Sequence, residues 1–201
     1  MDAPDVSRGC PTGSAAPCAQ RSRPVTKSLR TAPRPIQARR RAKFPVVRAR
    51  RAARGRHHPA SAADVRNALK VFGEEIYYGL VSVELIPAPL VRTQLPLGQL
   101  IGPGRIVLYD QAPSPWRLGF ELPPDERARL LAAGARSDKD GIVSWPGDSL
   151  RRFMLGYVLT HELGHHVLQH KRRLRGERGA RTSEHESYAE AIAAKLRALL
   201  D

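Results

Sequence analysis

Cysteine is almost absent from this 201-residue chain, and its only two cysteines, Cys10 and Cys18, lie near the N-terminus. A disulfide-stabilised scaffold and a thiolate metal site in the rest of the chain are therefore excluded. No run of 18 apolar residues is present either, which excludes a membrane-spanning helix. These absences predict a soluble, cytoplasmic protein that does not insert into a membrane.

Acidic side chains are scarce at the start of the chain, where residues 1–58 carry 15 Lys and Arg but only 2 Asp. This segment also has seven prolines and few large apolar residues, so it cannot bury enough surface to offset the entropy of ordering. We predict a disordered, basic tail over residues 1–60. Its role stays open among a solvated linker, a targeting peptide, and an arm that contacts nucleic acid or another polyanion through residues 39–56.

The rest of the chain, residues 61–201, is predicted to be one folded α+β domain. Residues 59–201 carry 19 basic and 17 acidic side chains, so this part is close to neutral. Apolar periodicity, turn residues and helix caps indicate a few strands packed on two or three helices. The predicted helices cover residues 64–72, 123–133, 148–174 and 182–201, and the predicted strands cover residues 77–86, 95–101, 105–110 and 142–145.

The predicted helix over residues 148–174 contains an H-E-x-x-H motif, His161-Glu162-Leu163-Gly164-His165. Residues i and i+4 of a helix lie about 40° apart around its axis, so both imidazoles project from one face. They can therefore hold the same zinc ion at about 2.0–2.1 Å. Glu162 lies about 100° from His161, which suits it to take a proton from a water on the metal.

A catalytic zinc needs a third protein ligand and an open position. His166 and His170 lie about 140° and 180° from His161, so both point away from the predicted metal face. On the last predicted helix, Glu186 lies at the edge of the apolar stripe that should pack on the helix before it. Glu186 is therefore the best-placed third ligand, although a capping box with Ser183 is its alternative role.

Two more acidic residues lie close to Glu186 in the sequence. Glu190 shares the edge of the apolar stripe with Glu186, so it is best placed to hydrogen-bond a ligating histidine and fix its tautomer. Glu184 lies on the solvent side of the helix. Three side chains, His185, His166 and Tyr188, are candidates to donate a hydrogen bond to a reaction oxyanion. The pattern does not choose among them, and a buried, hydrogen-bonded structural role fits His185 equally.

The segment THELGHHVLQH, followed on the next helix by ESYAEAIAAKL, resembles the gluzincin arrangement, and the compact layout is similar to the ImmA/IrrE type of minimal metallopeptidase. Two features differ: Ser187 replaces the alanine that usually follows the glutamate, and no helix-turn-helix is evident. The resemblance implies a small sheet packed on an active-site helix and on a C-terminal ligand helix. It further implies one Zn²⁺ per chain, held by His161, His165 and Glu186, with Glu162 as the catalytic base.

The sequence therefore favours a zinc metallopeptidase that hydrolyses peptide bonds of a protein substrate, such as a regulatory protein. The strand over residues 105–110 is either an edge to which a substrate peptide adds or an ordinary sheet strand. A competing hypothesis is a non-catalytic binding protein that is stabilised by zinc and uses its basic tail to engage nucleic acid. A third is a toxin or antirepressor that acts by docking.

Overall fold

The strands of the fold form two small sheets. They are β1 (Val46–Ala49), β2 (Ser82–Ile86), β3 (Gly98–Leu100), β4 (Arg105–Tyr109), β5 (Trp116–Arg117), β6 (Arg136–Ser137) and β7 (Ile142–Ser144). The first four form a sheet in the order β1-β2-β4-β3, in which β3 alone is antiparallel. The other three form an antiparallel sheet in the order β5-β7-β6.

This computed structural model describes residues 43–89, 96–118, 122–138, 141–176 and 183–200. Six α-helices lie within these ranges. They are α1 (Ala62–Phe72), α2 (Glu74–Tyr77), α3 (Pro124–Ala132), α4 (Ser149–Phe153), α5 (Thr160–Leu174) and α6 (Ser183–Arg197). The mixed α+β architecture predicted from the sequence is confirmed. Within the described ranges, no helix combines the length and apolar character needed to cross a membrane.

Local sequence signals placed several elements correctly. Ser61 caps α1, and Ser61 and Asp64 form a reciprocal capping box. The strands predicted over residues 95–101 and 105–110 contain β3 and β4, which pair as an antiparallel hairpin around Gly102-Pro103-Gly104. The strand predicted from residue 77 is wrong at its start, because the chain forms α2 and turns at Gly79 before β2 begins at Ser82. Gly79 has a φ of 79°, a left-handed conformation that glycine adopts readily.

The N-terminal boundary of the folded region lies earlier than predicted. Residues 46–49 form β1, which pairs with β2 in parallel register. The fully buried Asp110 carboxylate accepts hydrogen bonds from the backbone N–H of Ala53 and from Arg56. Burial alone would raise the pKa of Asp110, but these donors and the Ala88 N–H lower it overall. The prediction of disorder to residue 60 is therefore wrong for residues 43–60, whereas residues 1–42, including both cysteines, lie outside the described residues.

One continuous helical segment runs from α4 through a π-helical stretch, Met154–Leu159, into α5. The prediction of a single helix over residues 148–174 is confirmed. The sequence pattern did not predict the π-helical stretch. All but Tyr157 of the π-helical residues are buried, in agreement with the apolar sequence before the motif. The Thr160 hydroxyl donates to the Gly156 carbonyl at 2.6 Å where the π-helical stretch joins α5.

Helix α6 packs antiparallel against α5 at very short range. A Cβ atom on Gly164 would lie only 2.5 Å from the carbonyl oxygen of Ala189 and 2.6 Å from its Cα, so the backbones touch where glycine is present. The buried residues of α6 are His185, Ala189, Ala193 and Leu196; Ala189 and Leu196 belong to the predicted apolar stripe, whereas Ala193 does not. Leu199 and Leu200, which the predicted stripe also included, are exposed. This close contact fixes α6 over the middle of α5.

Candidate metal centre

Three side chains from α5 and α6 converge at one point. The Nε2 atoms of His161 and His165 lie 3.1 Å apart. The Glu186 Oε2 atom lies 3.3 Å from His161 Nε2 and 3.5 Å from His165 Nε2. The structure therefore brings together the three residues that the sequence analysis selected as metal ligands, and this group could hold a metal ion.

The size of this triangle fits a first-row divalent cation. Ligand atoms placed tetrahedrally at about 2.0–2.1 Å from zinc lie about 3.3–3.4 Å from one another. The three observed separations, 3.1, 3.3 and 3.5 Å, bracket that value. Two imidazole nitrogens and one carboxylate oxygen also form a donor set that zinc accepts well, while other first-row metals bind similar sets. No third histidine or cysteine joins the group among the described residues.

Glu190 lies near the other ring nitrogen of His161, as predicted from its position beside Glu186, but without a hydrogen bond. The His161 Nδ1 atom is buried without a hydrogen bond, and Glu190 Oε2 lies 3.6 Å away, slightly beyond hydrogen-bond range. Glu190 is in turn paired with Arg197 at 3.2 Å and with Arg129 at 3.7 Å. Burial lowers the pKa of His161, with a further contribution from Arg129, although Glu186 and Glu190 oppose the shift. A neutral imidazole is the form that binds a metal.

Glu162, the residue between the two histidines, is buried and anchored to the sheet. Its Oε2 atom accepts a hydrogen bond of 2.7 Å from the backbone N–H of Leu100 in β3. Leu97 O and Ile101 N make their hydrogen bonds to β4, so Gly98 and Leu100 direct their backbone polar groups to the opposite side. The hydrogen bond from Leu100 thus links the Glu162 carboxylate to the free side of β3, the side that does not pair with β4.

Among the described residues, β3 and β1 are the edge strands of the larger sheet, and β4 is not. The chain over residues 105–110 contains β4, which pairs with β2 on one side and β3 on the other. It is therefore an ordinary internal strand, and the alternative that it is a free edge is wrong. A Cβ on Gly98 would lie 2.7 Å from Val158 Cγ1, so glycine allows the edge strand to approach the helix closely.

A cavity of about 540 Å³, which we call the metal-site cavity, is lined by His161, Glu162, His165 and Glu186. Side chains that the sequence analysis did not single out complete its wall: Tyr109, Arg129, Tyr157 and Val158. Burial and the nearby charge of Glu162 raise the pKa of Tyr109, which keeps its hydroxyl protonated as a donor. Tyr109 ends β4 and Arg129 lies on α3, both far from the motif in the sequence, whereas Tyr157 and Val158 lie just before the motif in the π-helical stretch.

The three candidate oxyanion donors do not line the metal-site cavity. His166 and His185 line a second cavity instead, and His166 Nε2 lies 3.1 Å from the Tyr78 carbonyl oxygen. Burial lowers the pKa of His166 to about 4. The Tyr188 hydroxyl accepts a hydrogen bond from Lys171 at 2.9 Å. The prediction that His166 and His170 point away from the metal face is confirmed, as both line the second cavity.

Comparison of this chain with protein-family models, with curated proteins and with solved structures gives no match. The function is therefore inferred from the geometry of the described residues.

Proposed function

We propose that this protein is a zinc-dependent metallopeptidase of the gluzincin type, similar to the ImmA/IrrE proteins. The observation that carries the proposal is the triangle of His161, His165 and Glu186 beside the buried Glu162 carboxylate, in a cavity bordered by an edge strand. Three protein ligands are typical of catalytic zinc, which keeps a fourth position open, whereas structural zinc has four. The metal-site cavity likewise favours a catalytic metal over a purely structural one.

His161, His165 and Glu186 would hold the zinc ion, and Glu162 would act as the base. When bound, zinc supplies Lewis-acid polarisation of a peptide carbonyl and lowers the pKa of a water molecule. Glu162 would accept a proton from a water molecule at one carboxylate oxygen and return it to the leaving nitrogen of the substrate. The hydrogen bond from the Leu100 N–H would orient the Glu162 carboxylate for this role.

The substrate chain would bind along β3. The backbone groups of Gly98 on the free side of the strand can pair with an extended peptide. A peptide in that position passes over Glu162, because the Leu100 N–H connects the strand to this carboxylate. The Tyr109 hydroxyl, which lines the same cavity, is a better candidate for donation to the reaction oxyanion than the three residues considered from the sequence.

Removal of the metal tests the proposed function. The full-length protein, loaded with one equivalent of zinc, should cleave members of a proteome-derived peptide mixture, and mass spectrometry should detect the new termini. Treatment with 1,10-phenanthroline should reduce cleavage to background, because Glu162 alone does not polarise the carbonyl. Dialysis and addition of zinc should restore it.

Two results would contradict the proposal. Cleavage that persists in the chelated protein would identify a metal-independent activity or a contaminating peptidase. A zinc-loaded protein that produces no new termini over the whole mixture would favour the non-catalytic alternative.

A further inference from the structure

A second cavity, of about 580 Å³, lies beside the metal-site cavity on the same structural elements. We call it the basic cavity, and its characteristic lining residues are Leu100, His166, His170, Arg172, Arg173 and His185. Its chemistry differs from that of the metal-site cavity, since two arginines and three histidines line it and no Asp or Glu does so among the described residues. It takes no part in the mechanism proposed above.

Neighbouring residues of β3, α5 and α6 line the two cavities. On β3 the metal-site cavity contacts Gly98 and Gln99, and the basic cavity begins at Leu100. On α5 the first contacts residues up to His165, and the second begins at His166. On α6 Glu186 lines the metal-site cavity, and the adjacent His185 lines the basic cavity. A peptide that pairs with β3 and extends past Leu100 would therefore reach residues that line the basic cavity.

The polar groups of the basic cavity have unused hydrogen-bonding capacity. The Nε2 atoms of His170 and His185 are buried and have no hydrogen-bond partner among the described residues. His185 is only 3% exposed, and a buried polar atom without a partner is costly unless a ligand or water satisfies it. Neither Arg172 nor Arg173 forms an ion pair with a side chain in the described part of the chain.

Two guanidinium groups give this cavity a fixed positive charge. Burial, together with the charge of Arg173, lowers the pKa of His170, so that imidazole contributes N–H donors and not charge near neutral pH. The guanidinium groups of Arg172 and Arg173 are charged at every physiological pH. Fixed positive charge with additional N–H donors and no competing carboxylate is the pattern that binds an oxyanion.

We propose that the basic cavity is a subsite for a carboxylate of the peptide that occupies the metal site. The carboxylate belongs either to an Asp or Glu side chain next to the scissile bond or to a chain end. This inference rests on the proposed function for the position of the peptide, but it concerns binding and can be tested without hydrolysis.

The test is a selection of peptides by the zinc-loaded full-length Glu162→Gln protein, immobilised and incubated with a randomised peptide library. One arm of the experiment uses amidated peptides and the other uses free C-termini. The bound pool should be enriched in Asp and Glu at one position by about tenfold, the factor expected for a partly desolvated Arg–carboxylate contact. Enrichment confined to free C-termini assigns the carboxylate to a chain end.

A charge-matched pair of variants distinguishes the cavity from general electrostatic attraction. Arg172→Gln/Arg173→Gln should abolish the enrichment. Lys171→Gln/Arg175→Gln removes the same charge from the same helix end, outside the cavity lining, and should retain it. Equal enrichment in all three proteins, or none in the parent protein, would overturn the proposal. If selection succeeds but the wild type cleaves nothing, the carboxylate subsite stands and the peptidase function fails.

Discussion

Glu162→Gln is expected to reduce peptide hydrolysis by about 10²- to 10⁴-fold, the usual contribution of a general base. Gln has nearly the same size, and its side-chain oxygen can still accept the hydrogen bond that Leu100 N–H donates to Glu162. The two histidines and Glu186 are unchanged, so the variant should bind one equivalent of zinc with wild-type affinity. Rates are measured on a peptide that the wild type cleaves, with zinc content measured on the same sample.

Glu184→Gln provides the matched control for this variant. Glu184 lies on the exposed side of α6, two residues from Glu186, and is outside the metal-site cavity lining. Its replacement should leave hydrolysis and zinc binding unchanged. If Glu162→Gln hydrolysed peptide at the wild-type rate, Glu162 would not be the catalytic base, even if the assignment of the three metal ligands were correct.

Gly164→Ala is expected to destabilise the protein by about 3 kcal/mol, at the upper end of overpacking effects. The new methyl group would lie 2.5 Å from the Ala189 carbonyl oxygen and 2.6 Å from Ala189 Cα. Both atoms belong to the α6 backbone, so no side-chain rotation can relieve the contact and the helices must separate. Because the separation moves Glu186 away from His161 and His165, zinc affinity should fall by about 10- to 100-fold, as it does when ligand positioning is lost.

Gly156→Ala is the control for the same substitution in the same helical segment. A Cβ at Gly156 would lie 3.6 Å from Arg197 Cγ, an ordinary van der Waals contact with a flexible side chain. Urea denaturation and competitive zinc titration should therefore give values close to the wild type. If Gly164→Ala were as stable as Gly156→Ala and bound zinc equally well, the close approach of α5 and α6 would not determine the position of Glu186.

Local sequence signals were sufficient for most of the helices and for the cluster of His161, His165 and Glu186. The capping box at Ser61 and the prolines before α3 mark helix starts because they act through neighbouring backbone groups. The i, i+4 spacing of His161 and His165 needs only helical geometry. Glu186 could be selected because the buried stripe of α6 fixes which face of that helix meets α5.

Features that depend on distant contacts could not be read from the sequence. Residues 46–49 form a strand because β2 supplies a parallel partner and Asp110 anchors the following loop, although the surrounding sequence is rich in arginine. Tyr109 reaches the metal-site cavity through the register of β4, which no local pattern reports. The basic cavity likewise arises only when β3, α5 and α6 are assembled.

The central claim is that His161, His165 and Glu186 jointly bind one divalent cation, and elemental analysis of the purified protein tests it most directly. Wild-type protein exposed to zinc and then passed through a desalting column should retain one zinc per chain. His161→Ala, prepared identically and shown to be folded by circular dichroism, should retain almost none. A wild-type protein without bound metal, or a His161→Ala protein that keeps a full equivalent, would contradict the account.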